Sequence, residues 1–189
     1  MPRPTVAAER RAQIIDATQR TMAAHGVSGT TLDRIAETAG MSRGHVRHFV
    51  GNRDQLLAAT AREVFSDEDG TPTILPRGTR TLESALAFLF GAELTASDAE
   101  NAVVLGLVES SRTRPEIARI LSEAYRGTRA TLAALLASAH PTAAAEACAV
   151  AADGVLATAL GNVFLGDFDP DPARTERARR AAEALISTL

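Results

Sequence analysis

Between Leu32 and Phe49 the chain reads "LDRIAETAGMSRGHVRHF", and the spacing inside that run leaves few ways to fold it. Two short helices that cross steeply at a tight turn need a small residue where they approach, and Ala36 supplies one. Four residues on, Gly40 suits the turn because glycine takes positive φ without steric cost. Ile35, Met41, Val46 and Phe49 fall where apolar side chains must flank the turn and line the second helix. With six positions agreeing, the run predicts a helix-turn-helix more strongly than an ordinary helical hairpin.

The rest of the chain reads as helix almost throughout, so the expected class is all-α with about nine helices. Thr5 caps a first helix that Gly26 stops, and Thr30 or Thr31 starts the second. Ser42 caps the third, and a fourth begins at "RDQLLAATAREVF" after the Gly51-Asn52 break. Residues 67–80, "DEDGTPTILPRGTR", form a Pro- and Gly-rich loop that separates residues 1–66 from residues 81–189. Further helices are expected near 81–94, 98–112, 115–139, 143–166 and 171–188, with Pro115 in a first turn and Pro141, Pro170 and Pro172 at the joins.

Composition narrows the class further. The chain has 189 residues, 46% of them hydrophobic, which is enough for a sizeable core and too apolar for disorder. The apolar run from Ala147 to Leu165 is interrupted by Asp153, Gly154, Gly161 and Asn162, so no uninterrupted membrane span is expected. The N-terminus has no apolar signal core, and the single cysteine, Cys148, fits a reducing cytoplasm. Residues 1–62 carry nine Arg against five Asp and Glu, a net of +4, whereas residues 63–189 carry a net of −7. A basic first third on an acidic body points to a polyanion as partner of that third.

The polyanion-facing candidates cluster around the second helix of the motif. Arg43 and Arg47 are four apart and share a helix face. Either can pair with guanine O6 and N7 in double-stranded DNA, or bind phosphate. His45 can reach a base edge, and His48 can bond phosphate or pack at the helix end. Gly44 lets the backbone approach closely. Thr31 and Ser42 sit at helix starts, where capping and phosphate binding both use free backbone N–H groups. Arg53 is a phosphate-clamp candidate, and Arg3 lies on an N-terminal arm. His45 and His48 alone fall short of the three or four ligands a zinc site needs, so no metal or cofactor is expected.

In the helix expected near 143–166, Ala147, Ala151, Gly154, Thr158, Gly161 and Leu165 recur at intervals of 4, 3, 4, 3 and 4. This seam of mostly small residues suits close helix–helix approach. Val150, Leu156, Leu160, Val163 and Phe164 lie on another face. In the last helix Ala178, Ala182, Leu185 and Leu189 form one stripe. A helix with two apolar faces needs two partners, its own core and either a second segment or a second subunit.

The stretch from Glu9 to Val64 resembles the TetR family of bacterial transcriptional repressors. Gly26, Thr30, Thr31, Ile35, Ala36, Ala39, Gly40, Ser42, Gly44, His48, Arg53, Leu56 and Leu57 carry the resemblance. It looks most like the branch containing choline-sensing betaine regulators. Arg47 stands where family members usually have an aromatic, often tyrosine, that packs on the DNA backbone.

The resemblance implies a DNA-binding domain over 1–66, the boundary loop 67–80, and an effector-binding and dimerisation domain over 81–189. It implies a homodimer whose last two helices form a four-helix interface, using the small-residue seam together with Ala178, Ala182 and Leu185. Two reading helices would then meet a palindromic operator. It also implies a cavity for a small organic effector, with Phe88, Leu89, Leu105, Glu109, Tyr125, Thr128 and Asn162 as candidate lining and Leu132 beside them. Aromatics total 4%, with no Trp and one Tyr, which is a poor supply for a quaternary-ammonium cage. An apolar or weakly polar effector anchored by Tyr125 and Glu109 is therefore expected. The leading expectation is a ligand-responsive, dimeric, cytoplasmic repressor. The alternatives are a helical enzyme, for which no catalytic motif appears, and a DNA-binding module that senses no effector.

Overall fold

The computed structural model describes residues 6–95, 98–169 and 171–189. In chain order the helices are α1 (Val6–Gly29), α2 (Leu32–Ala39), α3 (Arg43–Val50), α4 (Arg53–Val64), α5 (Leu82–Leu89), α6 (Ala92–Thr95), α7 (Asp98–Ser111), α8 (Pro115–Ala139), α9 (Ala145–Gly166) and α10 (Arg174–Ile186). The expected roles of Arg3, Thr5 and Pro170 fall outside the described residues.

Two boundaries differ from the sequence expectation. α1 runs on to Gly29, but Gly26 leaves helical geometry (φ 64°, ψ 175°), so the expected stop is a break within α1. The helix expected over 81–94 divides into α5 and α6 at Phe90-Gly91, where glycine, a poor helix former, interrupts the run. Between α4 and α5 the only bridge pair among the described residues joins Ser66 and Pro72, closing a turn around Gly70. There the Asp67 carboxylate accepts hydrogen bonds from the Asp69 and Thr71 amides.

The described chain forms two compact units, one from residues up to Phe65 with Ala102–Ser122, the other from Ser66–Asn101 with Glu123–Leu189. α7 and α8 each contribute residues to both.

In the first unit α1 packs on α2, α3 and α4. Ile14, Ala17, Ile35, Ala36, Ala39, Val46, Val50 and Leu56 form its core, with Met41 and Phe49 partly buried against them. Removing such side chains from water at about 25 cal/mol per Å² is the main force holding three very short helices in register. Asn52 caps α4 through a capping box with Gln55, both bonds at 2.9 Å. Asp54 pairs with Arg114 at 2.9 Å, and Arg62 pairs with Glu116. The Arg119 hydrogen bond, with Arg62 close by, holds the Glu116 carboxyl below the usual carboxylate range. These pairs are largely exposed and contribute little to stability.

The second unit buries Leu86, Leu89, Leu132, Leu136, Cys148, Val155, Leu156, Ala159, Ala182 and Ile186 in one cluster. α9 packs its Cys148–Ala152–Val155–Ala159–Asn162 row inward. Among the described residues α9 is the one helix long and apolar enough to cross a membrane (mean hydropathy 1.7), despite its polar interruptions. Its buried row is that of a core helix, which meets the same criteria.

Candidate nucleic-acid interface

The turn between α2 and α3 is built by backbone bonds that only glycine completes without strain. Gly40 sits in the left-handed region (φ 64°, ψ 33°). Its N–H donates to the Glu37 carbonyl at 3.1 Å, and the Met41 N–H donates to the Ala36 carbonyl at 2.9 Å. This is the Schellman arrangement, and Met41 packs on the Ile35–Ala36 cluster as that motif requires. Thr31 caps α2 by accepting from the Arg34 amide at 3.3 Å, and Ser42 caps α3 by accepting from the His45 amide at 3.2 Å. The Gln13 side-chain amide donates to the Ala39 carbonyl at 3.0 Å and ties α1 to the same turn.

α3 is two-sided. Val46 and Val50 are buried, while Arg43, Gly44, His45, Arg47 and His48 are exposed. Val50 had not been expected in the core, although its spacing of four from Val46 is a helical signal. Phe49 is partly buried, and both histidine rings lean on it, His48 edge-on at 5.1 Å and His45 at 6.2 Å. At Gly44 an added Cβ would find the Ser42 hydroxyl at 3.9 Å and nothing closer, so the fold itself leaves room for a side chain there. Arg43 donates to Asp33 at 3.2 Å, whereas the Arg47 side chain has no hydrogen bond or ion pair among the described residues.

Arg53 corrects the expectation of a free phosphate clamp. Its guanidinium turns inward, donating to the Thr30 carbonyl at 2.7 Å and to the Val27 carbonyl. It thereby ties the start of α4 to the end of α1.

The effector candidates fall in both units. Leu105 and Glu109 belong to the first unit, and Glu109 is exposed. Phe88, Leu89, Tyr125 and Leu132 pack in or against the core of the second. Thr128 is committed to structure: it donates to the Ala124 carbonyl at 2.9 Å and accepts from the Ile74 amide at 3.0 Å. Asn162 is likewise engaged, donating to the Thr175 hydroxyl at 3.2 Å between α9 and α10. Burial raises the Tyr125 pKa above the usual tyrosine range.

The small-residue seam serves a contact within the chain. A Cβ on Gly154 would come within 2.9 Å of the Leu185 side chain of α10, and Ala151 and Ala182 are buried. Ala147, Thr158 and Ala178 are half-buried, and Gly161 faces open space. From α9 to α10 the large apolar residues left exposed are Val150 (63%), Phe164 (50%), Leu165 (40%), Phe168 (63%) and Leu185 (42%), and Val6 and Val108 are exposed elsewhere. Phe164 and Phe168 meet edge-on at 5.2 Å. Apart from Leu165 and Leu185, this stripe lies one position round from the seam that spacing had suggested.

A helical chain whose helix-turn-helix presents a cationic second helix to solvent defines a helix-turn-helix DNA-binding protein. Residues 14–60 match the tetR family of bacterial regulatory proteins, and residues 79–189 match the C-terminal part of BetI-type transcriptional repressors. The chain is 33% identical over 194 residues to the HTH-type transcriptional regulator BetI of Paraburkholderia xenovorans, covering all of this chain and 97% of that one. The chain belongs to the tetR family, with a C-terminal part of the BetI type, and is a transcriptional regulator rather than an enzyme. The fold is shared with a tetR-family regulator from Cytophaga hutchinsonii (TM-score 0.76, 15% identity, 100% of this chain and 98% of that one). It is shared also with the multidrug binding protein EbrR complexed with proflavin (TM-score 0.59, 19% identity, 93% and 99%).

Proposed function

We propose that this chain is a cytoplasmic, dimeric repressor that reads a palindromic operator through α3 and releases it when a small organic effector binds. The sidedness of α3 carries the proposal. Two valines fix the helix to the core, while two arginines and two histidines stand in solvent on eight residues. A helix of that length is about 12 Å long and fits a major groove about 12 Å wide. Arg43, His45, Arg47 and His48 supply the contacts, and Gly44 lets the backbone close in. Thr31 and Ser42 add helix-start N–H groups for phosphates. Arg53 acts indirectly by holding α4 in place.

Dimerisation uses the exposed stripe of Val150, Phe164, Leu165, Phe168 and Leu185. A two-fold axis through such a stripe makes it self-complementary. Two α3 helices about 34–36 Å apart then meet successive turns of DNA. The effector is apolar or weakly polar, and Tyr125 is its polar anchor. A tyrosine hydroxyl is protonated at neutral pH with or without the rise that burial brings, so it is a neutral polar group there. Release requires the effector to bind the DNA-incompetent state more tightly, since equal affinity shifts nothing.

The test is selection of duplexes from a random pool, followed by footprinting. The expected result is a palindrome bound on the order of several hundred-fold more tightly than random DNA; no preferred duplex ends the proposal. A thermal-shift panel of apolar and quaternary-ammonium compounds tests the effector class. Stronger stabilisation by the ammonium set overturns it, and no stabilisation by either favours an effector-independent module.

Arg47→Ala is expected to leave thermal unfolding within about 0.5 kcal/mol of wild type, because the side chain is exposed. DNA binding weakens on every sequence, and the slope of log K against log salt falls by about 1. Unchanged affinity removes Arg47 from the interface.

A further inference from the structure

Asp33 is a carboxylate on the face where a polyanion docks. It lies in the first turn of α2, and its Oδ2 accepts the hydrogen bond from Arg43 Nη1 at 3.2 Å. Both side chains are about two-thirds exposed, at 63% for Arg43 and 67% for Asp33. Arg47, one turn further along the same face of α3, has no such partner among the described residues. The two arginines of the reading helix therefore differ before any DNA arrives: one is tethered and the other is free. A negative charge beside phosphates lowers affinity for any DNA.

We propose that Asp33 is a positioning residue that makes Arg43 a reader of bases and denies it to phosphates. The proposal rests on the DNA-reading role proposed above for α3. A guanidinium carries five N–H donors, so Arg43 can keep Asp33 through Nη1 and still present donors to guanine O6 and N7. If Arg43 swings to a phosphate instead, it abandons Asp33. The carboxylate is then unpaired beside the polyanion, in an interface from which water has been displaced. In bulk water the pair holds Arg43 weakly, but it strengthens as DNA lowers the local dielectric. Non-specific contact is penalised and base contact is not, so sequence discrimination arises from the rejected alternative. The untethered Arg47 is the complementary case, a mobile cation that follows phosphates on any sequence.

The experiment uses the full chain, the duplex that wild-type protein selects from a random pool, and a scrambled duplex of equal composition. Dissociation constants are measured between about 50 and 200 mM salt. Asp33→Asn is expected to bind the scrambled duplex more tightly than wild type does, so that the selected-to-scrambled ratio falls about fivefold or more. Its salt slope on the scrambled duplex steepens by about 1 as Arg43 moves to phosphate, a change that a purely structural role for Asp33 would not produce. Arg43→Ala lowers the ratio by itself, and adding Asp33→Asn to it changes the ratio no further. Asp33→Ser, with thermal unfolding measured alongside, repeats the charge removal with a different helix-start residue. An unchanged ratio in both Asp33 variants overturns the proposal, as does an equal drop in the Arg43→Ala background. If wild type selects no duplex, the DNA-reading function fails together with this inference. If wild type selects one and the Asp33 variants keep its ratio, only this inference fails.

Discussion

Phe164→Asp is expected to convert the protein from dimer to monomer at micromolar concentration while each chain stays folded. Phe164 is half exposed in the single chain, so aspartate there disturbs no core. In the proposed dimer it lies with Phe168, 5.2 Å away, on a stripe that the second chain covers. Truncating a buried aromatic anchor costs about 2 kcal/mol or more, and a two-fold interface counts it twice. About 4 kcal/mol raises the dimer dissociation constant roughly a thousandfold. A monomer engages one half-site alone, so operator affinity falls by on the order of 10²–10⁴ through lost avidity. Sedimentation and operator titration on the same preparation check both. A variant that stays a tight dimer places the interface elsewhere on the molecule.

Gly44→Ala is expected to move stability and DNA binding in opposite directions. Gly44 has helical backbone, and its Cβ position is open in the free chain. Alanine there should raise stability by about 0.5–1 kcal/mol, the ordinary helix preference. On DNA the same methyl group occupies the gap through which the backbone approaches. Overpacking of that kind costs about 1–3 kcal/mol, roughly 5- to 150-fold in operator affinity. Thermal unfolding and operator titration together test it. A Gly44→Ala variant that binds DNA as well as wild type shows that no close approach occurs at that residue.

Much of the helix-turn-helix was legible because its constraints are local. Ala36, Gly40 and Ser42 act within a few residues of themselves, through a crossing point, a left-handed φ and a cap. The helix starts at Thr31 and Ser42 follow from short polar side chains that satisfy free N–H groups. The break at Gly91 was harder to read, since glycine inside an apolar run is tolerated as often as it interrupts.

The site residues were less legible, because a sequence gives a side chain's chemistry and not its direction. Arg53 reads as a cation beside a DNA-binding motif, yet the carbonyls of Val27 and Thr30, more than 20 positions away, capture it. Thr128 and Asn162 read as polar groups for a cavity, and each is taken by a distant partner. Asp33 reads as an unremarkable helix-start acid until α3 folds back and sets Arg43 against it. Of the second α9 face expected from the sequence only Val150 and Phe164 are exposed, and Leu156 joins the core, while small residues pack equally well within a chain and between chains. Only the Gly154–Leu185 contact separates the two cases.

By itself, then, the sequence determined the helical class, the turn between Leu32 and Phe49, and the cationic character of the helix that follows it. Each depends on backbone preference or on residues within about one helical turn of each other. The tertiary structure decided which arginine is tethered, which polar groups are already satisfied, and which face of α9 remains uncovered. Those outcomes depend on pairs 10 to 54 positions apart, whose meeting is set by packing and not by spacing.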